Sequence, residues 1–389
     1  MRISEIMNLN ESRIDPSSIV TDDLKEIVKV FKSNGFDIKI AGGAVRDLLL
    51  GKDPKDIDLA TTATPDEMVE LLKDFRTIPT GLQHGTITVL GRRTGEEYEI
   101  TTLRIDTNQT GRHADVEWTT DFKQDAARRD LTYNAMFMDL DGTLHDYFGG
   151  KEDLEKGITK AVGDTGERFQ EDYLRILRLF RFSARYGHKL EPEVINAITR
   201  NAKGLKQVSG ERYWLEMQKI LSTPKAELAA DQMIKTGVAD IIGLNVTNFD
   251  GLKLAEKGDP ILTLAAIVDT KTAKNLVEKW KLSSEEGNRL VTVAALNPYT
   301  WTEKQMKEQI VNHKKSEWAK ARFVDALVIQ GRSSSIKSWD IPVFPVTGQD
   351  LINIGVKPGP DMGKVLKALK DRWIASNFTA SKEELLKTA

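Results

Sequence analysis

The 389-residue chain contains no cysteine. Disulfides, thiolate zinc sites and cysteine nucleophiles are therefore excluded. Histidine is scarce: five residues, at 84, 113, 145, 188 and 313, are scattered along the chain and offer no cluster of the metal-phosphohydrolase type. Long apolar runs are missing too. The longest clean one, ILTLAAIV (261–268), is far too short to span a bilayer. The first twenty residues hold no apolar signal region and carry Glu5, Glu11 and Asp15, unlike a secretory signal or an acid-poor transit peptide, so a cytoplasmic protein is expected. There is no basic surplus: 56 Lys and Arg stand against 58 Asp and Glu, a net charge of −2. Any RNA site must be a local stripe, not a global field. With 40% apolar and 29% charged residues, the composition is that of a soluble globular protein of two or three domains.

What is present is concentrated in GGAVRDLLLGKDPKDIDLATT (42–62). Asp56 and Asp58 stand two apart in a stretch that reads as a strand. Such residues face one side, so both carboxylates can converge on a hard cation while Ile57 points into the core. Oxygen donors with open water positions suit Mg²⁺. Gly42 and Gly43 lie between a strand and a helix, where the backbone can approach phosphates, and Arg46 can add a bidentate phosphate contact. A glycine turn or an acid pair alone is common. In this order and spacing they are the equipment for holding a nucleoside triphosphate and its metal.

Around this unit the pattern predicts an α/β head. Thr21 and Asp22 cap a helix through Ile27, Val30 and Phe31; DIKIA is a strand; AVRDLLL is a helix ended by Gly51; and KDIDLAT is the next strand. TPDEMVELLKDF (64–75) reads as a helix with Pro65 in its first turn. GTITVL and EEYEITTL flank the turn GRRTG as a hairpin. Residues 104–125 look irregular and mobile, with a possible strand at ADVEW. From about 165 helical periodicity takes over, with helices expected over 168–186, 193–203, 210–222, 226–236, 253–269, 272–281, 284–295, 302–312, 315–329 and 362–375, and a Pro/Gly-rich interruption at 341–363. The expected division is a polar leader (1–20), an α/β head (21–150), a helical neck (151–225) and a helical body and tail (226–389).

GGAVRD, DIDLATTATP, RRDLTYNAM, EDYLRILRLFRF and GERYWLEMQKIL occur in the order of the class II tRNA nucleotidyltransferase and bacterial poly(A) polymerase family, which the chain resembles over roughly 38–222. The resemblance implies an α+β fold: a polymerase-β-like nucleotidyltransferase head with a mixed sheet, followed by an all-α neck, body and tail. It implies Mg²⁺ as cofactor, tRNA, CTP and ATP as partners, the helical body and tail (226–389) as the part that binds tRNA, and Asp56 and Asp58 as metal ligands. It implies Glu99 as a third carboxylate that can act as general base. Asp130 and Asn134 would hold ribose hydroxyls, and Arg128 and Arg129 would position phosphate or chain. On a helix, Asp130 and Asn134 would share one face. The segment 104–118, with Arg104, Asp106, Gly111, Arg112 and His113, resembles the family's flexible loop, which helps switch the pocket from CTP to ATP. DYFGGKEDL resembles a head–neck hinge, and Glu211 and Arg212 of the neck helix would brace the helix before it.

Asp172 and Arg175, three apart on the expected helix, carry the specificity argument, with Arg178 beside them. Cytosine and adenine each present an exocyclic amine beside a ring-nitrogen acceptor. An aspartate accepts from the amine and an arginine donates to the ring nitrogen. Uracil and guanine reverse both partners, which leaves buried polar groups unpaired. The resemblance makes these residues such a protein template. The expected activity is addition of CCA to tRNA 3′ ends from CTP and ATP, releasing pyrophosphate. Alternatives are a poly(A) polymerase, disfavoured by the acidic balance and the lack of a basic tail, and a CC- or A-only enzyme, disfavoured by the length of 104–118. A non-catalytic RNA-binding module is opposed by the intact acids, and nucleotidyl transfer to a small molecule by the helical body. Oligomeric state is left open.

Overall fold

The computed structural model describes residues 13–81, 85–110, 113–296, 301–332 and 334–389. Arg112 and Gly111, expected in the flexible loop, lie outside these residues. The chain divides into two compact units. The first runs through Val246 and includes 255–260 and 278–281; the second holds 247–254, 261–277 and 282–389.

The first unit opens with helix α1 (Asp22–Ser33). The Thr21 hydroxyl accepts from the Leu24 N–H, and Leu24, Ile27 and Phe31 are buried. Strand β1 (Ile38–Ala41), helix α2 (Gly43–Leu49) and strand β2 (Ile57–Thr61) follow, as the pattern predicts. Helix α3 (Pro65–Leu71) starts in a capping box between Thr64 and Glu67. It ends four residues before the expected 75, and Arg76–Gly81 forms an unforeseen strand, β3. That strand contains Pro79, which disguises it. It lies at the sheet edge, where a missing N–H is tolerated.

Strands β4 (Thr86–Leu90) and β5 (Glu97–Thr102) form the expected antiparallel hairpin, and β5 then pairs in parallel with β2. With β8 (Phe137–Met138) and β9 (Leu144–His145) they make a mixed sheet in the order β3-β4-β5-β2-β1-β8-β9. Before β8, β6 (Arg104–Thr110) and β7 (His113–Trp118) pair as a separate antiparallel ribbon. This corrects the expectation of an irregular segment; the strand expected at ADVEW falls in β7. Val116 and Trp118 of the ribbon are partly exposed, so there is no one-sided burial to write alternation into the sequence. Helix α4 (Phe122–Ala127) follows.

Helices α5 (Gly150–Glu155), α6 (Thr165–Glu171), α7 (Leu174–Tyr186), α8 (Pro192–Asn201), α9 (Gly210–Leu221), α10 (Ala226–Lys235) and α11 (Val238–Ile242) complete this unit. The single helix expected over 168–186 is two helices, because Asp172 is extended (φ −152°) and its carboxylate accepts from the Leu174 N–H. α7 buries Ile176, Leu177 and Phe180 and packs on α9 and α10.

The second unit is helical. One core gathers Met306, Ile310, Phe323 and Leu327, and another Leu351, Leu369 and Trp373. The helix expected over 253–269 is a 3-10 segment (Phe249–Lys257) followed by a helix starting at Pro260, since proline cannot continue a helix but opens one well. The Pro/Gly-rich interruption contains a short helix, Gly348–Asn353, started by a Thr347–Asp350 capping box. No helix among the described residues is long and apolar enough to cross a membrane.

Candidate active site

The parallel pairing of β2 with β5 sets Asp58 opposite Glu99. Leu59 and Ile100, next along each strand, are buried, so alternation turns both carboxylates to the open face. Asp56 lies one residue before β2, not inside it, and Ile57 is only half-buried. The strand argument is thus corrected for Asp56. Electrostatics still join the three acids. Loss of solvent around the Asp58 carboxyl, then the Glu99 and Asp56 charges, push its pKa up, against the pull of Arg129.

Gly42 leads from β1 into α2 with φ +61°, and a Cβ there would stand 2.8 Å from Arg129 Nη1 and 3.2 Å from the Asn134 carbonyl. Only glycine fits this approach. The residues facing it form a bonded group. Arg129 Nη1 donates to the Asn134 carbonyl (3.2 Å), Arg46 Nη1 to Asn134 Oδ1 (2.6 Å), and Asn134 Nδ2 to Asp130 Oδ1 (3.1 Å). The expectation that Asp130 and Asn134 share one helix face is corrected: Thr132–Asn134 is a 3-10 turn, and the Asn134 amide still reaches the Asp130 carboxylate. Arg178 donates to Asp130 Oδ2 through Nε at 2.9 Å and also through Nη2. Burial raises the Asp130 pKa, but Arg178 and the Asn134 bond outweigh it and hold the carboxyl below its ordinary value. Arg46 is also tied to Asp47 (2.8 Å), so the side chain expected on a phosphate also braces Asn134.

Sequence reasoning did not single out Asp125, although it lies beneath these groups. It is 1% exposed. Its oxygens accept from Arg128 (2.7 and 2.8 Å), Arg129 (3.0 and 3.1 Å) and the Arg104 N–H (3.2 Å). Burial raises its pKa, yet the two arginines hold it low. The signal was available as i,i+3 and i,i+4 acid–base spacing on α4.

Asp172 and Arg175 do not pair with each other. Arg212 of α9 grips Asp172 through both terminal nitrogens (2.6 and 3.1 Å), which is the bracing expected of it. Arg175 Nη1 reaches the Arg168 carbonyl (2.9 Å) and Glu171, which sequence reasoning also missed.

One cavity of about 590 Å³ is lined by Gly42, Gly43, Arg46, Asp58, Glu99, Arg104, Arg129, Asp130, Asn134, Asp172, Arg175 and Arg178, all singled out from sequence. Arg128 and Arg212 complete its polar wall. A second cavity of about 610 Å³ shares Asp58 and adds Asp56, Arg181, Arg185 and Lys219. Acids, fixed amide and hydroxyl-binding groups, and arginines therefore surround a space large enough for a nucleotide.

Residues 38–160 match the family model for a "Poly A polymerase head domain", and 187–246 match a "Probable RNA and SrmB- binding site of polymerase A". The mitochondrial CCA tRNA nucleotidyltransferase 1 of Danio rerio is 39% identical over 402 residues, covering 95% of this chain and 91% of that protein. Its Homo sapiens counterpart is 39% identical over 400 residues, covering 95% and 90%. The structure of the Bacillus stearothermophilus CCA-adding enzyme in complex with CTP has a TM-score of 0.69 at 29% identity, covering 92% of this chain and 94% of that one.

Proposed function

The chain belongs to the CCA tRNA nucleotidyltransferase family, which adds CCA to tRNA 3′ ends from CTP and ATP, and from that premise we propose how its own residues divide the work. Asp56 and Asp58 are the metal ligands. Their hard oxygen donors, and the raised proton affinity of Asp58, mark a place where positive charge is wanted. Among the described residues no three His, Cys, Asp or Glu side chains form a cation cage. Two carboxylates with hard oxygen donors fit Mg²⁺, which Asp56 and Asp58 would hold. When bound, such an ion lowers the pKa of the attacking hydroxyl and neutralises the triphosphate.

Glu99 stands beside Asp58 and receives the proton of the tRNA 3′-hydroxyl. That oxygen bonds to the α-phosphorus of CTP or ATP as the bond to pyrophosphate breaks. Asp130 and Asn134 hold the ribose hydroxyls, with Arg46 and Arg178 fixing their orientation. Arg129, clamped by Asp125, keeps a positive charge near the phosphates. Asp172 accepts from the exocyclic amine of C or A and Arg175 donates to the ring nitrogen. U and G reverse both partners and leave them unpaired in a partly buried site. No nucleic-acid template is required.

The observation that carries the proposal is the register of Asp58 on Glu99 at the wall of a cavity that also holds Asp172 and Arg175. The length of the segment that holds the paired strands β6 and β7 supports full CCA addition. Cytoplasmic placement remains part of the proposal; the two animal relatives are named mitochondrial, and a tagged chain recovered in mitochondria would move it. The test is to incubate the protein with Mg²⁺, a tRNA ending at the discriminator base and all four nucleoside triphosphates, and to sequence the 3′ ends. A defined CCA stop is expected. A long A-tail, CC alone, or no extension would each overturn it.

A further inference from the structure

Arg168, at the end of α6, is a buried cation (9% exposed) that the mechanism above does not use. Its Nη2 donates to the carbonyls of Arg128 (2.5 Å) and Arg129 (2.8 Å), in the segment entering the sugar-holding turn. Its Nη1 pairs with Glu171 Oε2, the same oxygen that takes Arg175. The Arg168 carbonyl accepts from Arg175 at 2.9 Å. One residue therefore touches the segment leading to Asp130, and holds Arg175 by its own backbone and through a shared carboxylate. The Arg168 Nε is buried without a partner. A buried donor left unmet is unfavourable, so the guanidinium sits where its other three contacts require it, not where solvation would put it.

We propose that Arg168 is a specificity-determining positioning residue: by sharing Glu171 it limits how much of that carboxylate Arg175 engages, and so sets where the Arg175 guanidinium stands against the incoming base. The hold on the 128–129 carbonyls fixes that guanidinium relative to Asp130, so base edge and ribose are read in one frame. The inference rests on the reading of Asp172 and Arg175 as the base-selecting pair. Without the Arg168 charge, Arg175 no longer shares Glu171 Oε2 and faces the carboxylate alone. A guanidinium and a carboxylate prefer two parallel bonds, which draws Arg175 toward Glu171 and off the base edge.

The test is single-nucleotide extension of a tRNA lacking CCA with CTP, UTP or GTP at fixed Mg²⁺, comparing wild type, Arg168→Gln, Arg168→Gln with Glu171→Gln, and Arg175→Lys. In Arg168→Gln the preference for CTP over UTP should fall about tenfold, the scale of one lost polar contact in a selective site. Adding Glu171→Gln removes the charge that captures Arg175 and should restore several-fold of that loss. Loss followed by recovery is the expected result. Wild-type preference in Arg168→Gln with preference lost in Arg175→Lys overturns the inference and leaves the base-reading pair standing. Loss without recovery in the double variant also overturns it, because Arg168 then acts only on the fold. Wild-type preference in Arg175→Lys defeats the base-reading assignment and this inference with it. If Arg168→Gln does not melt cooperatively, Arg168→Lys is judged by the same criteria, since an ammonium cannot span the same contacts.

Discussion

Replacing Gly42 with alanine tests the way backbone geometry sets the site. Gly42 holds φ +61° and ψ −109°, and its N–H is committed to the Met136 carbonyl at 2.9 Å. An L-residue there costs about 1–3 kcal/mol of backbone strain. The new Cβ would lie 2.8 Å from Arg129 Nη1, so Arg129 must leave its 3.2 Å bond to the Asn134 carbonyl. That bond contributes roughly 0.5–1.5 kcal/mol net. The sum is a stability loss of about 1.5–4.5 kcal/mol, read by urea unfolding followed at the tryptophans. The effect on chemistry should be larger. Asn134 is the common partner of Arg46 and Asp130, and misplacing a catalytic group by about 1 Å can cost about 100-fold in rate. Single-turnover CMP addition, measured where the variant is still folded, should fall by about that factor. A variant that loses less than about 0.5 kcal/mol and transfers at the wild-type rate would refute the reasoning.

Three further outcomes follow from the same geometry. The pKa of Asp58 is raised in the fold, so the folded state binds more protons than the unfolded chain between the ordinary and the raised value. Stability therefore falls as pH rises through that window and stays lower above it; Asp58→Asn should melt higher than wild type in metal-free neutral buffer while abolishing transfer of every nucleotide. Asp172→Ala should lower selection of C and A over U and G while Mg²⁺ affinity, read by titration of metal-dependent nucleotide binding, is unchanged. Asp125→Asn removes a buried charge from under Arg128 and Arg129 and should cost about 3–5 kcal/mol in urea unfolding; because the Asp125 pKa is depressed, the wild-type contribution is present above the unfolded carboxylate pKa and is lost as pH falls through the folded value, so the two proteins should converge in acid.

Much of the head was legible in the sequence because its short elements carry their own punctuation. Thr21 caps α1, Thr64 and Glu67 box the start of α3, and Gly51 follows the end of α2. Where elements lack a buried face or a local stop signal, the reading slipped. In the β6–β7 ribbon Val116 and Trp118 both meet solvent, so there is no alternation to read. The chain break at Asp172 has no glycine or proline to announce it. The edge strand β3 contains Pro79, which argues against a strand everywhere except at an edge.

By itself the sequence determined which chemical groups are available and near which neighbours they fall along the chain: two close acids, a glycine pair, an Arg-Arg-Asp run and an acid-arginine pair at helical spacing. Local spacing and motif order suffice for that, because both are properties of adjacent residues. Only the tertiary structure decided which partner each group takes. It put Glu99 opposite Asp58 through a strand pairing across 41 positions of chain. It gave Asp172 to Arg212 and Arg175 to Glu171, partners that helical spacing alone does not name. It set Arg46 against Asn134 as a brace, and it hid the clamp at Asp125. A charged side chain takes the partner that best offsets its loss of water, and which partner that is depends on how distant segments pack.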